Sequence, residues 1–214
     1  MERSTYKDLE SAGRELASAL ALPRRNNPVV LAIANSGLPV AIPIAESLVA
    51  PLDLVIIRRL FVREDRALPV CAVSIAGNLV LDSESRVLSF VEEQFMQQAV
   101  DELSARAREI RGNVNPTEIA GKNILLVDVG IHTGGTIRIA VGALRKLNPL
   151  SITIAVPVAD AQLKETVEAL ADEVVCLQWP EKFGHAGMWY KNFNRPNDQE
   201  VRNMIENRSY FGRE

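Results

Sequence analysis

The sequence predicts an α/β protein with a doubly wound, mostly parallel sheet and a small C-terminal cap. Three observations carry that prediction. Short apolar runs at 29–34, 54–57, 124–127, 152–158 and 174–177 have the length and composition of strands buried on both faces. Segments with helical spacing of apolar residues separate most of them, the pattern of βαβ units. One run, at 124–127, passes through a Gly/Thr-rich loop straight into such a segment.

In chain order, Tyr6, Leu9, Gly13, Leu16 and Leu20 recur at helical spacing, and Pro23 closes that helix. The strand at 29–34 is bounded by Pro28 and by Asn35-Ser36-Gly37. A helix over 40–49 follows, with Pro43 expected in its first turn. The second strand, 54–57, ends at Arg58-Arg59, and 60–70 is polar, charged and loop-like. Residues 71–75 and 78–81 flank Ala76-Gly77 as a hairpin. Val87, Val91, Phe95, Ala99 and Leu103 step by four along a long helix that stops near Arg111-Gly112. After the strand at 124–127, Ile137, Val141 and Leu144 mark a helix ended by Asn148-Pro149. A strand at 152–158, a helix at 160–171 and a last strand at 174–177 complete the core. The tail from Trp179 holds two Trp, two Tyr and three Phe without a clear period, and reads as a cap on the sheet edge or a dimer contact. No repeat or low-complexity linker interrupts the chain. The expected organisation is therefore one domain over 1–214, with a core at about 25–178 and a cap made by the N-terminal helix and 179–214.

Composition narrows the function classes. The 214 residues are 47% hydrophobic and 24% charged, which excludes a disordered or collagen-like chain. Lys plus Arg (24) against Asp plus Glu (27) leaves a net charge of −3. That balance argues against nucleic acid or an anionic membrane as the main partner. The longest apolar run has six residues, far short of a membrane span, and the N-terminus lacks a signal-peptide core. The expected location is the cytoplasm, with Cys71 and Cys176 as free, buried thiols. His132 and His185 are the only histidines, and no Cys/His spacing suits zinc.

The chemistry-bearing segment is Asp128-Val129-Gly130-Ile131-His132-Thr133-Gly134-Gly135-Thr136, set between an apolar strand and a helix. Glycines let backbone N–H groups approach a phosphate, and the hydroxyls of Thr133 and Thr136 add donors at a helix N-terminus. Asp128 falls at the carboxyl end of its strand, where open α/β sheets bind ligands. No Gly-Lys-Ser/Thr follows, so this is not a P-loop, nor is it the dinucleotide Gly-x-Gly-x-x-Gly pattern. An ordinary strand-to-helix turn with a capping Thr is the alternative.

This segment resembles the PRPP motif of the type I phosphoribosyltransferases. Further stretches match a bacterial branch of that family: 30–41, 51–60, 121–128, 156–159 and the tail at 180–193, so the resemblance spans roughly residues 5–206. It implies displacement of pyrophosphate from C1 of PRPP by a purine-like nitrogen base, with Mg²⁺ bound through PRPP, in a homodimer. Carried over residue by residue, Thr133, Gly134, Gly135 and Thr136 hold the 5′-phosphate and Asp128 accepts from the ribose hydroxyls. Asn35, Ser36 and Gly37 occupy the pyrophosphate loop, and Arg58 and Arg59 stand where the family keeps a basic residue near the leaving group. Residues 60–70 belong to a mobile flap. Phe183 matches an aromatic that stacks on the base in related purine enzymes, with a core Phe as the alternative. Trp189 and Tyr190 match without an implied role.

Three departures bear on function. The second motif acid is Val129, and the loop that usually reads Arg-Gly-Gly is Asn35-Ser36-Gly37. His132 replaces a residue that is commonly small, in a position where some purine enzymes carry an acid assisting proton removal. The resemblance thus implies a base at His132, against a packing or hydrogen-bonding histidine. Three function classes stay open: a PRPP-dependent transferase, a binding or regulatory protein that keeps the phosphate pocket without turnover, and a structural or interaction protein that keeps only the fold.

Overall fold

A computed structural model describes residues 5–20, 28–61, 69–76, 78–82, 90–112 and 114–206. Their elements are β1 (Tyr6–Asp8), α1 (Leu9–Leu20), β2 (Pro28–Ile33), α2 (Gly37–Leu48), β3 (Leu52–Phe61), β4 (Pro69–Ile75), β5 (Asn78–Asp82) and α3 (Phe90–Arg111). There follow β6 (Asn123–Val127), α4 (Gly135–Arg145), β7 (Ser151–Val158), α5 (Lys164–Glu168), β8 (Glu173–Gln178), β9 (Tyr190–Asn192) and α6 (Asp198–Glu206).

Seven strands form one sheet in the order β5-β4-β3-β2-β6-β7-β8. The five from β3 to β8 run parallel, and the β4–β5 hairpin adds antiparallel strands at one edge. Every residue of β2 is buried. Val30 and Ala32 face a core shared with α1, α2, α3 and α6, while Val29, Leu31 and Ile33 face a second core with α4. A strand whose side chains alternate between two covered layers must be apolar throughout, which is why 29–34 reads as an unbroken run. A separate two-stranded ribbon pairs β1 with β9 in parallel, Tyr6 opposite Tyr190, and so joins the start of the chain to the tail.

Local chemistry explains the element starts. Asp8 and Ser11 bond reciprocally, the Ser11 N–H donating to Asp8 Oδ1 at 2.8 Å and the Asp8 N–H to Ser11 Oγ at 3.0 Å. This box opens α1 after Tyr6, which belongs to β1. Asn197 and Glu200 repeat the device ahead of α6, at 2.7 and 3.0 Å.

Several sequence expectations need correction. α2 begins at Gly37 rather than 40, so Pro43 lies inside the helix and not in its first turn. β3 runs past Arg58 and Arg59 to Phe61, held by β4 in the register Arg58↔Ala72 and Arg59↔Cys71. The expected helix at 160–171 is a 3₁₀ turn, Ala161–Leu163, followed by the five residues of α5. The tail contains a helix, α6, that its weak periodicity did not announce. Pro23, Val87, residues 62–68 of the expected flap and the Cys71 side chain lie outside the described residues. Cys176 is a free thiol, half-buried, and burial pushes it up to about 12.

Candidate active site

β2 and β6 are neighbours at the middle of the sheet, and the chain leaves them in opposite directions. β2 leads to β3 on one side, whereas β6 leads to β7 on the other. Loops that diverge from adjacent parallel strands open a crevice at their carboxyl ends. Here it is a cavity of about 400 Å³, whose walls include Ser36 from the β2 loop, Asp128, His132, Thr133, Gly134 and Thr136 from the β6 loop, and His185 and Arg195 from the tail. That volume lies in the range of small-molecule sites.

The β6 loop is held by backbone geometry. The Ile131 N–H donates to the Val158 carbonyl and the Asp160 N–H to the Ile131 carbonyl, both at 3.0 Å, so the segment stays tied to the end of β7. Gly134 then adopts φ 73° and caps α4, a left-handed turn that favours glycine. On the opposite wall a side chain at Gly37 would meet the Val127 carbonyl oxygen at 2.8 Å. Glycine there lets α2 start directly against the end of β6.

Asp128 is 8% exposed, and its Oδ1 accepts from the Val129 N–H at 2.8 Å. Burial pushes its carboxyl up to about 7, against a smaller downward pull from that bond and from the Arg195 charge. Val129, at the position of the missing acid, is 4% exposed and packed in the core. Its carbonyl accepts from the Tyr190 hydroxyl at 2.6 Å, so a hydrogen bond from the tail pins the strand end.

Asn35 directs its side chain outward into a polar cluster. Its Nδ2 donates to Asp198 Oδ1 at 2.6 Å and to the Pro196 carbonyl at 3.1 Å, while its Oδ1 accepts from Arg106 Nη2 at 3.1 Å. Arg106 also grips Asp198 with two bonds, at 2.7 and 2.9 Å. Three elements thereby meet: the β2 loop, α3 and the start of α6. The arginine holds the Asp198 carboxyl below its usual range.

Among the sequence-predicted residues the cavity therefore gathers Ser36, Asp128, His132, Thr133, Gly134 and Thr136. Gly37 and Gly135 begin α2 and α4 at its edge. Asn35, Arg58 and Phe183 are not on its walls. Arg58 is exposed in mid-strand, paired with Glu102 of α3 at 2.7 Å. The Arg59 side chain lies outside the described residues. Phe183 is 2% exposed and stacks between His132 and Trp189. Sequence reasoning missed His185 and Arg195. Both sit in the aperiodic tail, and the one available signal was that His185 is half of the chain's histidine content.

A doubly wound sheet with an acidic strand end and a Gly/Thr loop at its switch point places the chain among the open α/β proteins whose ligand crevice lies at the carboxyl ends of the strands. Within that class the sequence matches the phosphoribosyl transferase domain over residues 3–191, and the chain belongs to that family. It is 32% identical over 200 residues to proteins of Mycobacterium tuberculosis strains CDC 1551 / Oshkosh and H37Rv that are provisionally named phosphoribosyl transferases. The alignment takes in 92% of this chain and 45% of each of theirs, so the chain spans about half the length of these relatives. The crystal structure of TT1426 from Thermus thermophilus superimposes with a TM-score of 0.81 at 29% identity, over 94% of this chain and 97% of that one.

Proposed function

We propose that this protein binds PRPP in the crevice between β2 and β6 and transfers its ribose 5-phosphate to a purine-like nitrogen base, releasing pyrophosphate. The observation that carries this reading is the convergence of Ser36, Asp128, Thr133 and Thr136 on one cavity at the switch point. The family match supports PRPP as the donor.

In this reading the N-terminus of α4, with Thr133, Gly134, Gly135 and Thr136, holds the 5′-phosphate. Asp128 receives the ribose hydroxyls, and backbone N–H groups of the Asn35-Ser36-Gly37 loop face the pyrophosphate. The acceptor nitrogen forms a bond to C1 as the C1–O bond to pyrophosphate breaks and the nitrogen gives up its proton. The chain contributes positioning and fixed dipoles.

The family also implies Mg²⁺. Among the described residues no group of three or more His, Cys, Asp or Glu gathers to hold a metal ion, and the cavity wall offers one carboxylate, Asp128. That donor set fits an ion that arrives on the substrate's phosphate oxygens and takes at most one protein ligand. Such an ion, held by PRPP and at most by Asp128, would supply charge neutralisation at the leaving pyrophosphate.

A second reading has its own support. Val129 leaves the site one carboxylate short, and the Asn35 side chain is committed to Asp198 and Arg106. Both favour a PRPP- or nucleotide-binding regulatory protein. The family's habit supports a homodimer, the sparse cysteine usage supports a cytoplasmic setting, and the charge balance argues against nucleic acid as the main partner. No helix among the described residues is long and apolar enough to cross a membrane.

Calorimetric titration with PRPP, with and without Mg²⁺, tests both readings. Saturable binding at micromolar to low millimolar PRPP, lost in Asp128→Ala, is the expected result. Absence of binding at several millimolar sinks both. Pyrophosphate release with a panel of bases then separates the transferase from the regulator.

A further inference from the structure

Three rings form a stack that begins in the core and ends in the cavity. The Trp189 and Phe183 ring centres are 6.3 Å apart with 25° between planes, and Phe183 and His132 are 5.5 Å apart with only 12°. The inner two rings are 4% and 2% exposed, and Trp189 Nε1 donates to the Phe183 carbonyl at 3.0 Å, which locks them together. His132 alone of the three is exposed and lines the cavity. Among the described residues no Phe, Tyr or Trp reaches the cavity wall, and the other imidazole there, His185, is not part of the stack. His132 is therefore the ring through which this buried stack meets the cavity.

Aromatic rings favour offset parallel packing, and a ring backed by a rigid neighbour loses little freedom when a further ring is added. We infer that His132 is the stacking platform for a planar heteroaromatic group, with Phe183 behind it as the residue that holds the imidazole in plane. The contact implied for Phe183 is thus made one ring further out. The platform and the phosphate loop share the continuous segment 132–136. A ligand carrying a planar base and a phosphate on one pentose spans both. This inference rests on the proposed function and gives His132 a binding role in place of proton removal.

The test uses the full chain and three probes: ribose 5-phosphate, inosine 5′-monophosphate and uridine 5′-monophosphate. Every base offers a π-face, so stacking tolerates either nucleotide. The readout is the ratio of dissociation constants, ribose 5-phosphate over nucleotide, within each variant, which cancels general damage to the fold. We expect a ratio of about ten in the wild type. His132→Ala should bring it close to one, while His132→Phe and His132→Tyr keep it. A wild-type ratio of one overturns the platform. So does a ratio that His132→Ala leaves intact or raises, as when the imidazole merely fills the place of a base on Phe183. Loss of the ratio in His132→Phe and His132→Tyr also overturns it, since hydrogen bonding would then be what matters. If neither these probes nor PRPP bind the wild type, the proposed function falls first and the platform falls with it.

Discussion

Asp128 sets the site's response to pH. Its carboxyl stands near 7 in the folded chain because burial disfavours the charged form, while an unfolded chain returns it to the ordinary range. Between pH 4 and 7 the native state keeps this proton and the unfolded state has released it, so this group lowers stability as pH rises. The full effect is about 4 kcal/mol as an upper bound. Asp128→Asn keeps an acceptor for the Val129 N–H and removes the ionisation. In urea denaturation the variant should match the wild type near pH 4 and exceed it increasingly towards pH 7. Parallel curves would show that Asp128 titrates normally.

At the scale of elements, the joint between the β2 loop, α3 and α6 is the feature with consequences for binding. Arg106 and Asp198 are 41% and 38% exposed, so their pairing contributes at most about 1 kcal/mol to stability. Its value lies in position, because Ser36 and Arg195, on opposite sides of the cluster in sequence, are both cavity walls. An arginine at position 35 would set a second cation against Arg106, and asparagine instead both donates and accepts. Arg106→Ala should leave urea stability within about 1 kcal/mol of wild type and weaken PRPP binding by roughly ten-fold, about 1.4 kcal/mol, as the β2 loop and the tail lose their shared anchor. Calorimetry on the pair of variants Arg106→Ala and Arg106→Lys reads it; unchanged affinity in both would reduce the cluster to surface decoration. Nothing in the residue order links positions 35, 106 and 198. By contrast α6 has a local signal in the Asn197/Glu200 box, though only Val201 and Ile205 are buried along it.

Across the whole molecule, a buried ion pair ties the end of α3 to β3 of the parallel core. Arg111, at the end of α3, donates to both Asp53 oxygens, and Asp53 also accepts from the Leu54 and Thr117 N–H groups at 2.7 and 3.0 Å. Asp53 is 1% exposed and its partner 7%. Removing one member of such a pair strands the other charge in the interior. Asp53→Ala should therefore cost about 3–5 kcal/mol in urea denaturation. A loss below about 1 kcal/mol would mean that water reaches Arg111 in the variant. In sequence Asp53 is a lone acid in an apolar strand, and its reason for being there lies 58 positions downstream.

The doubly wound class, the strand at 29–34, the β6 strand with its Gly/Thr loop, and Asp128, Thr133 and Thr136 at one site were all readable from residue order. Each rests on local physics: a strand buried on both faces is apolar throughout, and a turn from a strand into a helix start is written in a few consecutive glycines and hydroxyl residues. Strand order, the recruitment of His185 and Arg195, the outward turn of Asn35 and the burial of Phe183 behind His132 came only from tertiary structure. These depend on contacts between segments far apart in the chain, and no local pattern of hydrophobicity or charge encodes which distant partner a side chain meets.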